Sequence, residues 1–263
     1  MSAPRVAALA AGGAAAFFGG LAAVTSLAAP KACVLPRLTE VDRLRIFSEG
    51  ASAFDAHVDK AERALGVGMG ARRSALIARA RGDVVEVCAG GGRNNALYDA
   101  RSVTSLTLTD FAPGALALAA QRPCSSSHLV PKVLVADAHA LPLPDASADV
   151  VVDSFGLCSL HSPEAALAEW VRVLRPGGRL LLLEHGRSRF VPPVNWLLDR
   201  GARGHERQWG CDWSLDIEAL VARALPKMVV ESVSRHHLGT TVEIVLRKQG
   251  NGDVRSGGAS EAS

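Results

Sequence analysis

The sequence predicts an α/β fold in which a mostly parallel sheet alternates with helices and closes on an antiparallel hairpin. Short apolar runs ending in an acid recur at Val84–Val87 beside Glu86, Leu106–Asp110, Val133–Asp137 and Asp149–Asp153. Such runs, too short for buried helices, read as strands covered on both faces. Between them, Pro163 to Leu174 repeats apolar residues at 166, 167, 170, 171 and 174, the helical spacing, with proline near its start. Finally, Met228–Ser234 and Thr241–Arg247 flank a connection containing Gly239, which predicts the hairpin.

Taken in order, residues 6–29 stand apart because they carry no charge and are dominated by Ala, Gly, Val, Leu and Phe. As a helix this stretch spans about 36 Å, enough to cross a bilayer. Its alanines and glycines make insertion marginal, so three readings compete: an anchor, a cleaved secretory signal ending near Ala28-Ala29, or a mitochondrial presequence. Arg5, Lys31 and Arg37 precede the first acid, Glu40, and the whole chain carries 29 Lys and Arg against 26 Asp and Glu. Removing those three cations leaves a formally neutral body, which argues against a nucleic-acid partner. Helical material from Val41 to Arg81, interrupted at Gly66 to Gly70, is expected to cap a pocket.

The first strand runs into Cys88-Ala89-Gly90-Gly91-Gly92, a turn whose backbone a ligand can approach closely. A dinucleotide fingerprint needs another glycine three residues after Gly92, where Asn95 stands. With Glu86 just ahead of the turn, a cofactor carrying hydroxyls and positive charge fits better than a pyrophosphate, and S-adenosylmethionine (SAM) is such a molecule. Asp110, followed by Phe111, is expected against the ribose hydroxyls, Asp137-Ala138 near the adenine amino group, and Asp153 at the next strand end.

The order of these motifs resembles the class I SAM-dependent methyltransferases: Glu86-x-x-x-Gly90-x-Gly92, Asp110, Asp137, Asp149 to Asp153, and the turn Leu174-Arg-Pro-Gly-Gly178. The resemblance covers residues 50 to 247 and implies a Rossmann-like sheet binding SAM. Leu157-Cys-Ser159, Glu184-His185-Gly186 and Gln208-Trp-Gly-Cys-Asp-Trp213 look more specifically like the single-pass, membrane-anchored methyltransferase-like proteins of mitochondria. More distantly, they resemble the membrane-associated thiol methyltransferases and quinone C-methyltransferases. Phe54-Asp55 stands where a Tyr-Asp pair is common in relatives.

Acceptor chemistry is expected at the carboxyl ends of the strands. His185 is the leading candidate base, because imidazole titrates near neutrality, and His161 is the second; a structural role for either competes with this reading. Trp209, Asp212 and Trp213 form either an acceptor wall or a pin for the inserted segment. The stretch from Arg187 to Arg207 intersperses arginines with Phe190, Trp196, Leu197 and Leu198, and reads equally as a membrane-surface segment or as a cover over the site. Cysteines 33, 88, 124, 158 and 211 show no metal-like spacing, so no metal site is expected and the thiols read as reduced. His236-His237, adjacent on a strand, is a poor chelate and reads as structural.

The domain boundaries expected are 1–39 for the hydrophobic anchor and tether, 40–248 for the methyltransferase domain and 249–263 for a disordered tail. The function expected is methyl transfer from SAM to a small hydrophobic acceptor, quinone-like, thiol or lipid-derived, by an enzyme tethered to the mitochondrial inner membrane. The endoplasmic reticulum is the rival location. An inactive methyltransferase-like assembly factor and an NAD-linked oxidoreductase are the rival functions.

Overall fold

The computed structural model describes residues 36–65 and 68–250. The expected anchor at 6–29 and most of the expected tail lie outside the described residues. Among the described residues no helix is long and apolar enough to cross a membrane.

Two helices, α1 (Glu40–Glu49) and α2 (Ala51–Leu65), precede α3 (Met69–Ile77). A reciprocal capping box starts α1: Asp42 N donates to Thr39 Oγ1 at 3.2 Å, and Thr39 N to Asp42 Oδ2 at 3.0 Å. The strands are β1 (Gly82–Val87), β2 (Val103–Asp110), β3 (Lys132–Val135), β4 (Ala148–Ser154), β5 (Leu174–His185), β6 (Met228–His236) and β7 (Thr241–Lys248). Helices α4 (Pro113–Gln121), α5 (Pro163–Val173), α6 (Pro192–Trp209) and α7 (Ile217–Ala224) complete the fold.

The strands lie in the order β3-β2-β1-β4-β5-β7-β6. The first five are mutually parallel and β7 runs antiparallel to both its neighbours, so the expected terminal hairpin is present. Leu180 to Leu183 alternate between two cores. Leu180 and Leu182 join Leu167 and Trp170 of α5, while Leu181 and Leu183 join Leu76 and Ile77 of α3. Helices on both faces explain the unbroken apolar reading of β5. The Leu174–Gly178 stretch, expected as a turn, is instead the irregular start of β5, where Leu174 pairs with Ala148 and Gly177 takes φ 82°.

Two local features go beyond the sequence reading. No α-helix follows the glycine turn; a short 3-10 turn, Asn95–Leu97, leads towards β2. Asn95 is buried and its Nδ2 donates to the carbonyls of Ala119 and Arg122 at 2.9 and 3.2 Å, so a side chain does the packing a third glycine would do in a dinucleotide site. The stretch from Arg187 to Arg207 contains most of α6, an 18-residue helix whose inner face, Val194, Leu198 and Ala202, packs on Cys158 and Trp213.

The topology reverses direction at β1 and β4. Successive strands lie to one side of β1, then β4 returns to its other side, which opens a crevice at their carboxyl ends.

Candidate functional site

That crevice is a cavity of about 910 Å³, near the upper end of ordinary small-molecule sites. One half is built by the glycine turn. Gly90 and Gly91 line it, and Cys88, Gly90 and Gly92 take φ of 50°, 52° and 72°, folding the backbone back sharply after β1. The turn is tied to β2 by Asp110, whose Oδ2 accepts from Gly90 N at 2.9 Å and whose Oδ1 accepts from Ala112 N at 2.9 Å. Burial pushes the Asp110 carboxyl up, and these backbone donors oppose the rise.

Glu86 is 2 % exposed, borders the cavity, and accepts from Asn94 Nδ2 at 2.9 Å and Tyr98 Oη at 2.6 Å. Burial pushes its carboxyl up to about 7, against the lowering effect of Tyr98, Asn94 and Arg73. Arg73 of α3 donates to Asn94 Oδ1 at 3.2 Å and to Ser154 Oγ at 3.0 Å, and its guanidinium lies 4.8 Å from the Phe155 ring centroid. A cation on the capping helix, an amide after the turn and a hydroxyl ending β4 thus surround one acid.

Phe111, Asp137 and Ala138 line the cavity as well. Phe111 meets Phe47 edge to face at 6.2 Å, and Asp137 Oδ1 accepts from His139 N at 2.9 Å, fixing the loop that follows β3. Two of the expected contacts do not reach the wall. Gly92 is packed beneath the turn, where a Cβ would lie 2.8 Å from Ala119 Cα, so its glycine serves close packing, while the buried Gly91 borders the cavity. Asp153 is fully buried under the floor, its Oδ2 accepting from Leu157 N at 3.0 Å. The neighbouring Glu184 is equally buried, and burial together with the charge of Asp153 pushes its carboxyl up. These two acids hold the floor rather than a ligand.

The other half of the cavity is apolar and aromatic. His185 lines it, stacked on Phe155 at 4.3 Å. Burial pushes its pKa down to about 3, and His205, Arg73 and His237 add to the shift. Opposite, His205 stacks on Trp213 at 3.7 Å, its Nδ1 lies 2.9 Å from Cys211 O, and burial lowers its pKa to about 4. Trp213 Nε1 donates to Leu198 O at 2.9 Å, so this indole both pins α6 and walls the cavity, as does Trp209, which meets Phe54 at 5.8 Å. The two readings of these indoles are therefore compatible. Asp212 caps its own turn, accepting from Ser214 N at 3.0 Å. His161 lies 3.1 Å from Glu40 with its ring tilted against His139 at 4.1 Å, and is not among the residues lining the cavity.

Several wall residues were invisible to sequence reading. His237, read as structural, lines the cavity because positive φ at 237 and 238 turns it inward from the strand. Arg73, Asn94 and Tyr98 carry no motif; only the fold of α3 over β1 assembles them. Cys158 and Cys211, 53 residues apart, bring their Sγ atoms to 2.8 Å in the wall. Both are free thiols. Among the described residues no cluster of His, Cys, Asp or Glu could hold a metal.

Residues 85–182 match the family model described as a methyltransferase domain. Among curated relatives, the mitochondrial methyltransferase OMS1 of Saccharomyces cerevisiae is 30 % identical over 80 % of this chain and 47 % of its own length. A demethylmenaquinone methyltransferase of Thermus thermophilus is 46 % identical over 32 % of this chain and 36 % of its own. The chain thus spans about half, or less, of these relatives. Among solved structures, geranyl diphosphate methyltransferase in complex with GPP and sinefungin superposes with a TM-score of 0.54 at 14 % identity, over 68 % of this chain and 77 % of that one, a likeness of fold.

Proposed function

This chain carries a class I SAM-dependent methyltransferase domain, and from that premise we propose that it transfers the methyl group of SAM to a small hydrophobic acceptor while tethered to a membrane. SAM is the cofactor of this domain and supplies a methyl group activated by a sulfonium. The observation that carries the acceptor class is the composition of the second half-cavity. Phe155, Leu198, Trp209 and Trp213 surround two neutral imidazoles, and this wall suits a flat apolar ring with a hydroxyl rather than a charged or polymeric substrate.

Within that class, a quinone-like ring is favoured over a thiol or lipid-derived acceptor, since relatives matching up to half of the chain are named as demethylmenaquinone and ubiquinone/menaquinone C-methyltransferases. In this reading the glycine turn with Gly90, and Glu86, Asp110, Phe111, Asp137 and Ala138, hold SAM. Gly92 and Asp153 support the turn and the floor. His185 contacts the acceptor: its low pKa keeps the ring unprotonated at neutral pH, so it orients an acceptor hydroxyl by accepting its hydrogen bond. This replaces the expectation of a base titrating near neutrality.

The location proposed is the mitochondrial inner membrane, by a single pass at residues 6–29. It is supported by that uncharged stretch and by the mitochondrial label of the relative at 30 % identity.

The test is transfer of label from methyl-tritiated SAM to a panel comprising a demethylated isoprenoid quinol, an alkyl thiol and a long-chain lipid alcohol. Label in the quinol alone is the expected result. Replacing His185 by Phe, which keeps a flat ring but cannot accept the hydrogen bond, should lower kcat about 10-fold with SAM affinity unchanged. Label in the thiol alone would reassign the acceptor, and label in none would withdraw the small-acceptor reading.

A further inference from the structure

The inner face of α6 closes the cavity, and its outer face is exposed at Trp196, Arg200 and Arg207, while Arg203 turns back to the buried Glu206 at 2.8 Å. Trp196, Arg200, Arg203 and Arg207 follow one another at spacings of four, three and four residues, a stripe along the helix. Trp196 is 59 % exposed, with the Arg200 guanidinium 5.4 Å from its ring centroid. Just before the helix, Phe190 is 65 % exposed beneath Arg235. Large aromatics left in water beside arginines are costly for a surface that faces only solvent.

The start of the domain adds to this side. Arg43 of α1 reaches Glu206 of α6 at 2.9 Å, and Phe47 packs against Gly210. On the outward side of α1, Val41, Leu44 and Arg45 are exposed, Val41 by 66 %. The acids nearby are each engaged: Glu40 by Arg43 and His161, Asp42 by Thr39, and Asp199 by Arg187. The uncharged residues 6–29 join the domain at this same end of α1. The cavity is walled here too, by Glu40, Arg43, Gln208 and Trp209.

We propose that the outer faces of α1 and α6 form a membrane-docking surface that lies flat on an anionic bilayer, with Trp196 and Phe190 in the headgroup–acyl boundary and Arg200 and Arg207 on lipid phosphates. The inference rests on the membrane-tethered reading but adds a second contact. A single tether leaves the domain free to rotate. A tether plus a flat basic-aromatic face holds the α1/α6 rim of the cavity against the lipid, where an apolar acceptor is dissolved. The acceptor then passes from bilayer to cavity without crossing water.

The test uses the full chain bound to phosphatidylcholine vesicles, with or without phosphatidylglycerol, whose acyl chains carry bromine to quench tryptophan. The chain has four tryptophans; Trp170 and Trp213 are buried and Trp209 is half-buried against Phe54, which leaves Trp196 to report the surface. Quenching in phosphatidylglycerol vesicles should be mostly lost in Trp196→Phe. It should fall in R200E/R207E, and it should weaken with salt or when the anionic lipid is left out. Vesicle flotation reports the tether separately. A chain that floats but whose Trp196→Phe variant is quenched as strongly as wild type keeps its tether and loses this docking face. Quenching indifferent to lipid charge equally overturns the proposal, and a face shielded by a co-purifying protein instead would assign it to a protein partner.

Discussion

Glu86 concentrates the electrostatics of the site in one side chain. Its carboxyl is raised from 4.5 to about 7 because burial removes the water that would solvate the anion. The linked stability is therefore fully present below the ordinary carboxylate range and is lost as pH rises through about 7, in total about 3 kcal/mol at 1.36 kcal/mol per unit. Glu86→Gln should flatten this part of the stability-versus-pH curve measured by urea denaturation. SAM is cationic at sulfur, so its affinity in the wild type should tighten between about pH 6 and pH 8 as Glu86 ionises, and Glu86→Gln should abolish that tightening. Calorimetric titration across this range checks it; a pH-independent affinity in the wild type would remove Glu86 from the cofactor site. At this scale much was legible. Glu86, Gly90, Asp110, Phe111, Asp137 and Ala138 were expected near the cofactor from strand-end spacing, and all border the cavity. Gly92 and Asp153 could not be sorted from them, because a strand end marks the right edge of the sheet without telling wall from floor.

Among the elements, the hinge between cap and insertion is the point of greatest consequence. Arg43 and Glu206 are 4 % and 1 % exposed, and Glu206 also accepts from Arg203 at 2.8 Å. Removing one partner of a buried pair ordinarily costs about 3–5 kcal/mol because the other is left charged and dry. Here Arg203 remains, so Arg43→Ala should cost less, on the order of 1–3 kcal/mol in denaturant unfolding. Glu206→Ala, which strands the buried Arg43, should cost more. Equal small effects would mean that α1 and α6 are not clamped through this pair. The strands and the helix Pro163–Val173 were legible because periodicity and proline punctuation agree with the final burial. Helix α6 was not, since Gly201 and Gly204 lower its intrinsic propensity and its inner face becomes apolar only against Cys158 and Trp213.

For the whole molecule, the proposal joins a neutral catalytic body, an uncharged N-terminal stretch and a cavity with one polar and one aromatic half. A full-length chain carrying a C-terminal tag should co-sediment with mitochondrial membranes and resist carbonate extraction, while deletion of residues 6–29 should release it. Enrichment with endoplasmic reticulum markers would move the location without altering the cofactor or the fold.

The sequence by itself determined the run of strands and the class of cofactor, because strand-end acids and a glycine turn are local features read within a few residues. Tertiary structure alone decided what lines the second half of the cavity. Arg73, the stretch carrying His205 and Cys211, and His237 come from three separate segments, and no local pattern records that α3, α6 and the β6–β7 connection converge on one crevice. The ionisation of the site is likewise tertiary: the same Glu86 and His185 would titrate ordinarily in the unfolded chain, and only burial moves them to about 7 and about 3.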